Sequence, residues 1–218
     1  MLGIIAGSAF LNAGRGKRVA TRYGAAHAWI SGEACILFRH GTGVPPHMVS
    51  HRANIAALKK LGAARAIGLF SVGSLRKKIR PGSVVVPSDY ISLWDSATFF
   101  DRAARHVVPG LDKDLRKRLR AAAQQCGIGS LEGVYVQTRG PRLETPAEAK
   151  MLSRFGDVVG MTMGTEATLA AEMGIAYAGI CSVDNYANGI GAIHPDEIIK
   201  RQRVNSGRLM QIARRLVT

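Results

Sequence analysis

Short runs of apolar, often β-branched residues alternate along this chain with longer stretches of helical periodicity, and that alternation limits the fold to an α/β sheet flanked by helices. Leu2–Ala6 and Ala34–Phe38 read as buried strands, as do Ala66–Phe70 and Gly82–Pro87 with its valine triplet Val84-Val85-Val86. Gly133–Gln137, the stub Val158-Val159 and Ile175–Val183 complete the strands, and helical patterns cover His47–Leu61, Leu111–Cys126, Pro146–Phe155, Gly164–Met173 and Pro195–Leu216. Residues 88–110 show weak periodicity and read as loop-rich. No repeat, low-complexity tract or linker interrupts the pattern, and 218 residues fall near the usual span of about 100–200 residues per domain, so 1–218 reads as one domain.

The strands end alike. Gly7-Ser8, Arg39-His40, Ser71, Thr138, Met161-Thr162 and Asn185 follow apolar runs with small, polar or cationic residues. In an open α/β sheet, ligands gather at the carboxyl ends of the strands. Taken singly, each is a turn residue or a helix cap. Together, Ser8, Arg39, His40, Ser71 and Thr162 offer hydroxyls, backbone N–H groups and a fixed cation to one oxyanion, as a phosphate cradle does.

Composition narrows the class further. No apolar run approaches the roughly 18 residues of a membrane-spanning helix, and the opening MLGIIAGSAF lacks the basic start and cleavage site of a signal peptide. Cys35, Cys126 and Cys181 form no C-x-x-C pair, against a disulfide framework or zinc ribbon, and the expected compartment is the cytoplasm. Cys181 lies inside an apolar strand and is expected in the core. The net charge of +15 favours anionic partners. Its cations are scattered over helical polar faces, and an aromatic content of 6% gives no stacking platform. Both points argue against a nucleic-acid groove. His47 and His51, four apart, could offer two imidazoles to a metal, but no acidic third ligand stands near; a helix-face role is expected and no metal site.

At these residues the chain resembles the trimeric purine nucleoside phosphorylase and methylthioadenosine phosphorylase family. The resemblance is carried by GIIAGS at 3–8, RHG at 39–41, SVGSL at 71–75, RPGSVVVPSDYI at 80–91, GPRLETPAE at 140–148, GMTMGTEATLAAEMGI at 160–175 and SVDN at 182–185. It implies one α/β domain with a barrel-like central sheet and a homotrimer, or a dimer of trimers, with sites near the subunit interfaces. It further implies cleavage of a purine nucleoside by inorganic phosphate as co-substrate, with no metal or organic cofactor.

By position, the resemblance places Ser8, Arg39, His40, Ser71 and Thr162 at phosphate, Met161 against the ribose, and Leu143 and Glu144 in the base site. Glu144 matches the glutamate that 6-oxopurine enzymes aim at the purine N1 edge. Asn185 falls where those enzymes have asparagine and adenine-specific ones aspartate; a shift of one residue would bring Asp184 there instead. His194, with Ile193 competing for the place, falls near the 5′ end of the ribose, which leaves the 5′ group open. The chemistry agrees: hypoxanthine and guanine offer N1–H to a carboxylate, whereas adenine N1 is an acceptor that a carboxylate repels. Two departures stand out. The loop after Gly41 is about two residues shorter than that of relatives, and Thr165 replaces a usual proline.

The expected activity is therefore phosphorolysis of inosine, guanosine or 5′-methylthioinosine, with Glu144 and Asn185 as the catalytic base contacts. A methylthioadenosine phosphorylase is the alternative within the class, and a nucleosidase using water a further one. An inactive, basic nucleic-acid-binding protein that kept the fold is the alternative outside it.

Overall fold

The computed structural model describes residues 1–7, 16–41, 43–94, 97–193 and 195–217. Five strands close on themselves: β5 (Arg65–Ser74), β8 (Val158–Gly160), β7 (Ser130–Gln137), β6 (Val84–Ser92) and β9 (Ala176–Tyr186), with β9 pairing back to β5. The sheet continues outward from β5 through β1 (Leu2–Ala6) and β4 (Ala34–Phe38) to the hairpin of β2 (Lys17–Thr21) and β3 (Gly24–Ser31). This is the α/β architecture that the strand–helix alternation implied, with the mixed, barrel-like central sheet that the resemblance implied.

Alternation of side chains along each strand separates two of the three core clusters, the third gathering Leu75, Val136, Leu152 and Val159. Ile5, Leu37, Phe70 and Val183 face α1 (His51–Lys60) and α4 (Met163–Glu172). Their neighbours Ile4, Leu69 and Ile180 face α2 (Lys113–Gln125) and α5 (Pro195–Arg214), where Leu115, Leu119, Leu209 and Ile212 are buried. Asp112 caps α2 by accepting from the Leu115 N–H at 2.8 Å. Thr145 and Glu148 form a capping box on α3 (Pro146–Leu152). Cys181 packs in the core as expected, and burial pushes the Cys35 thiol up to about 11.

Several boundaries differ from the sequence reading: β5 runs on through Ser71 to Ser74 and β9 through Asn185 to Tyr186, and three further differences stand out. The hairpin β2–β3 was not anticipated, because its outward positions are polar or exposed and only Val19, Ala26 and Ala28 are buried. β6 runs on to Ser92, into the stretch read as loop, because pairing with β7 as far as Gln137 compensates for weak local periodicity. The helix expected over 47–61 begins only at His51; Pro46–Met48 is a separate 3-10 turn. His47 and His51 therefore do not share one helix face.

The topology also opens a window. Among the described residues, β1 pairs with β5 as far as Gly68, and β8 joins β5 only at Gly73. Between them the edge of β5 opposite β9 lies open at the carboxyl end of the sheet, beside the residues that follow β1 and β4.

Candidate active site

Arg39, one residue past β4, fills that window. It is 4% exposed; its Nη1 donates to the Leu69 carbonyl at 3.0 Å and its Nη2 to Glu166 Oε2 at 3.1 Å. Its Nε binds the second oxygen, Glu166 Oε1. The guanidinium lies 4.3 Å over the Phe70 ring, and Tyr177 donates its hydroxyl to Glu166 Oε2 at 2.7 Å. Burial works against the charge on Arg39, but the Glu166 carboxylate and its hydrogen bonds outweigh it and hold the guanidinium above its ordinary value. These bonds take three of the five N–H groups of a guanidinium. Gly7 at the end of β1 permits the approach: a Cβ there would stand 2.9 Å from both Arg39 Nη1 and the Leu69 carbonyl oxygen.

His40 is also buried. Its Nδ1 is 2.7 Å from the Val44 carbonyl oxygen. A carbonyl only accepts, so Nδ1 carries the proton and neutral His40 presents Nε2 as an acceptor. Burial first, and the charge of Arg39 second, push its pKa below the ordinary 6.5.

Thr162 is the buried N-cap of α4, and its side chain makes no capping bond. The first turn is held from β7 instead. The N–H groups of Thr162 and Met163 donate to the Tyr135 hydroxyl at 3.3 and 3.4 Å. Gln137 Oε1 accepts from the Thr165 N–H at 3.0 Å, and its Nε2 donates to Thr165 Oγ1 at 2.6 Å. The threonine at the place of a usual proline thus has a dedicated partner.

Glu144 is buried and accepts from the Thr138 hydroxyl at 2.8 Å. It lines a cavity of about 480 Å³ with Thr138, Arg139, Trp94 and Met151. A second cleft, about 450 Å³, is lined by Met161, His47, His51 and Gln137. Thr138, Arg139 and Trp94 line both, so the two hollows adjoin at the end of β7. Met161 packs on Gly140, where a Cβ would collide with its sulfur. Leu143 is half exposed beside Glu144, and Arg142 is turned away to clamp Glu148 at 2.7 and 2.8 Å.

At the end of β9, Asn185 pairs with Gly73 of β5 and donates Nδ2 to the Tyr186 carbonyl at 2.7 Å. A Cβ on Gly73 would lie 3.4 Å from that same amide nitrogen. Asp184 takes the opposite direction, fully buried under α5. Ser71 also turns toward α5, where its Oγ accepts from Gln202 Nε2 at 3.0 Å. Ser8 and His194 lie outside the described residues. Among the described residues no group of three His, Cys, Asp or Glu could hold a metal ion.

The family model described as the phosphorylase superfamily matches residues 10–218. The chain belongs to that superfamily. A probable 6-oxopurine nucleoside phosphorylase of Archaeoglobus fulgidus is 40% identical over 232 residues, covering 100% of this chain and 96% of the relative. A probable S-methyl-5′-thioinosine phosphorylase of Methanocaldococcus jannaschii is 36% identical, covering 97% of this chain and 90% of the relative. Methylthioadenosine phosphorylase from Schistosoma mansoni, solved in complex with adenine, superposes with a TM-score of 0.83 at 26% identity, covering 98% of this chain and 89% of that one.

Within this superfamily member, sequence reasoning missed the supports of the site. Glu166 and Tyr177, which hold Arg39, and Gln202 and Asn205, which reach down from α5, sit in segments read only as helix or strand. One signal was available: Glu166 is an acid in the otherwise apolar stretch GTEATLA, and a buried acid needs a buried cation.

Proposed function

We propose that this protein catalyses the phosphorolysis of 6-oxopurine nucleosides, inosine, guanosine or 5′-methylthioinosine, releasing the base and ribose 1-phosphate or its 5-methylthio analogue. The observation that carries the reading is the buried Glu144 carboxyl at the edge of its cavity, fixed by the Thr138 hydroxyl. It is an acceptor suited to purine N1–H, and the names of the two relatives agree with it. Asn185, at the end of β9, donates to the leaving base at N7 or O6.

Phosphate is held at the window by Arg39, His40, Thr162 and the backbone N–H of Ser71, whose hydroxyl is taken up by Gln202, joined by Ser8. Arg39 offers the two N–H groups that its structural bonds do not take. Neutral His40 offers an acceptor, which suits the P–O–H of hydrogen phosphate. The glycosidic bond stretches to an oxocarbenium-like ribosyl cation, with Met161 and His194 flanking the sugar, and phosphate captures it at C1′. Negative charge then grows on the base at N7 and O6, where the Asn185 amide donates to it while Glu144 holds N1–H, so positioning and electrostatics supply the rate. The reaction uses no metal or organic cofactor, and residues 1–218 act as one domain in the cytoplasm. Exposed Leu93, Trp94, Met151 and Phe155, Trp94 and Met151 of them on the Glu144 cavity, support a homotrimer in which a second copy covers the site.

A second reading, methylthioadenosine phosphorolysis, is favoured by the likeness to the Schistosoma enzyme with adenine bound. The acceptor edge of Glu144 opposes it. The test is release of free base from inosine, guanosine, methylthioinosine and methylthioadenosine, each with and without inorganic phosphate. Phosphate-dependent release from the 6-oxopurines is expected. Release without phosphate would make the protein a hydrolase, and dominance of methylthioadenosine would favour the second reading.

A further inference from the structure

The strand that carries Asn185 is irregular at one point. Val72 of β5 pairs with Val183 of β9, but Gly73 pairs with Asn185, so Asp184 is the extra residue of a β-bulge. A bulge bends its strand and re-aims the side chains that follow. Without it, Gly73 would face Asp184, and Asn185 would sit one place further along.

Asp184 is held firmly in that position. Its Oδ1 accepts from Asn205 Nδ2 at 2.7 Å and its Oδ2 from the Ser182 hydroxyl at 3.2 Å. The Arg201 guanidinium donates to its backbone carbonyl at 3.3 Å. Arg208 donates to Asn205 Oδ1 at 3.1 Å and to the Gly82 carbonyl at 3.0 Å. The oxygen of Asn205 is thereby occupied, and its amide N–H must face the carboxyl group. Gln202, on the same helix, reaches Ser71 on the neighbouring strand. A fully buried carboxyl group is costly unless satisfied, and here α5, Ser182 and the Ser71 hydroxyl satisfy it with residue 184 bulged toward the helix.

We infer that Asp184 is a positioning residue: clamped by Asn205 and Arg201 of α5, it fixes the bulge that turns Asn185 toward the leaving base. The inference rests on the substrate reading above and assigns Asp184 a part in catalysis without contact with the base.

The test separates positioning from general stability by the choice of leaving group. Inosine needs a hydrogen bond where charge develops on the base, whereas the positively charged base of 7-methylguanosine leaves with little help at N7. D184A is expected to lower kcat/KM for inosine by about 100-fold, the scale of losing one such donor, and to change 7-methylguanosine less than about fivefold. N185A should show the same split, and D184A/N185A should be no worse than N185A alone. The exchanged pair D184N/N205D keeps one carboxyl and one amide at the clamp, and should recover inosine turnover to within about fivefold of wild type.

Equal losses on both nucleosides, additive losses in the double variant, or new preference for methylthioadenosine in D184A would overturn the inference. Hydrogen exchange gives a readout independent of substrate. Amides of residues 183–186 should exchange faster in D184A and return toward wild type in D184N/N205D; unchanged exchange in D184A would also overturn it. If wild type cleaves no purine nucleoside, the substrate reading fails and the role toward Asn185 fails with it, while exchange still shows whether the clamp exists.

Discussion

Arg39 and Glu166, 127 residues apart in the chain, meet as a fully buried, two-pronged ion pair beneath the window in the sheet. The carboxylate compensates the Arg39 charge, which lets Arg39 remain buried, and it aims the guanidinium. Removing it in E166A leaves an uncompensated cation, with an expected loss of about 3–5 kcal/mol. Urea unfolding measures that loss. The KM for phosphate should rise along with it, whereas a purely structural pair would leave that KM unchanged.

His40 predicts an acid-sensitive fold. Its pKa is lowered by burial and by Arg39, so between that lowered value and the ordinary 6.5 the unfolded chain binds more protons than the native one. Stability therefore rises with pH across this window and is lost as pH falls through it. Unfolding free energies of wild type and H40N, compared from pH 7 downward, should converge as the pH drops. Parallel curves would assign the acid sensitivity to other groups.

Gln137 and Thr165 form a pair that replaces a rigid helix start. T165P suits the first turn of a helix, but it removes the two Thr165 groups that Gln137 binds. Stranding a buried amide costs about 1–3 kcal/mol. T165P alone should destabilise by that amount, and T165P combined with Q137V should recover most of it in thermal or urea unfolding. Additive losses would contradict the pairing.

The legible part of this fold was what local pattern encodes. Valine runs announced β6, and helical periodicity announced α2 and α5. Local pattern could not encode pairing. β6 reaches Ser92 because β7 lies beside it, and β2–β3 is a hairpin with little buried surface to mark it. The supports of the site were hidden for the same reason: Glu166 and Asn205 acquire meaning only when a helix brings them to Arg39 and Asp184. Which of Asp184 and Asn185 turns toward α5 also depended on a single bulge, which the sequence SVDN does not reveal.

The account centres on Glu144 and Asn185 as readers of a 6-oxopurine. The most direct measurement is kcat/KM for methylthioinosine against methylthioadenosine, and for inosine against adenosine, at saturating phosphate, in wild type and E144Q. A site that leaves a buried polar group facing the wrong partner rejects a substrate by up to about 10⁴-fold. Wild type should favour the 6-oxo member of each pair by at least about 100-fold, and E144Q should shrink that ratio mainly by losing the 6-oxopurine. Equal rates on both members, or a ratio unmoved by E144Q, would contradict the account.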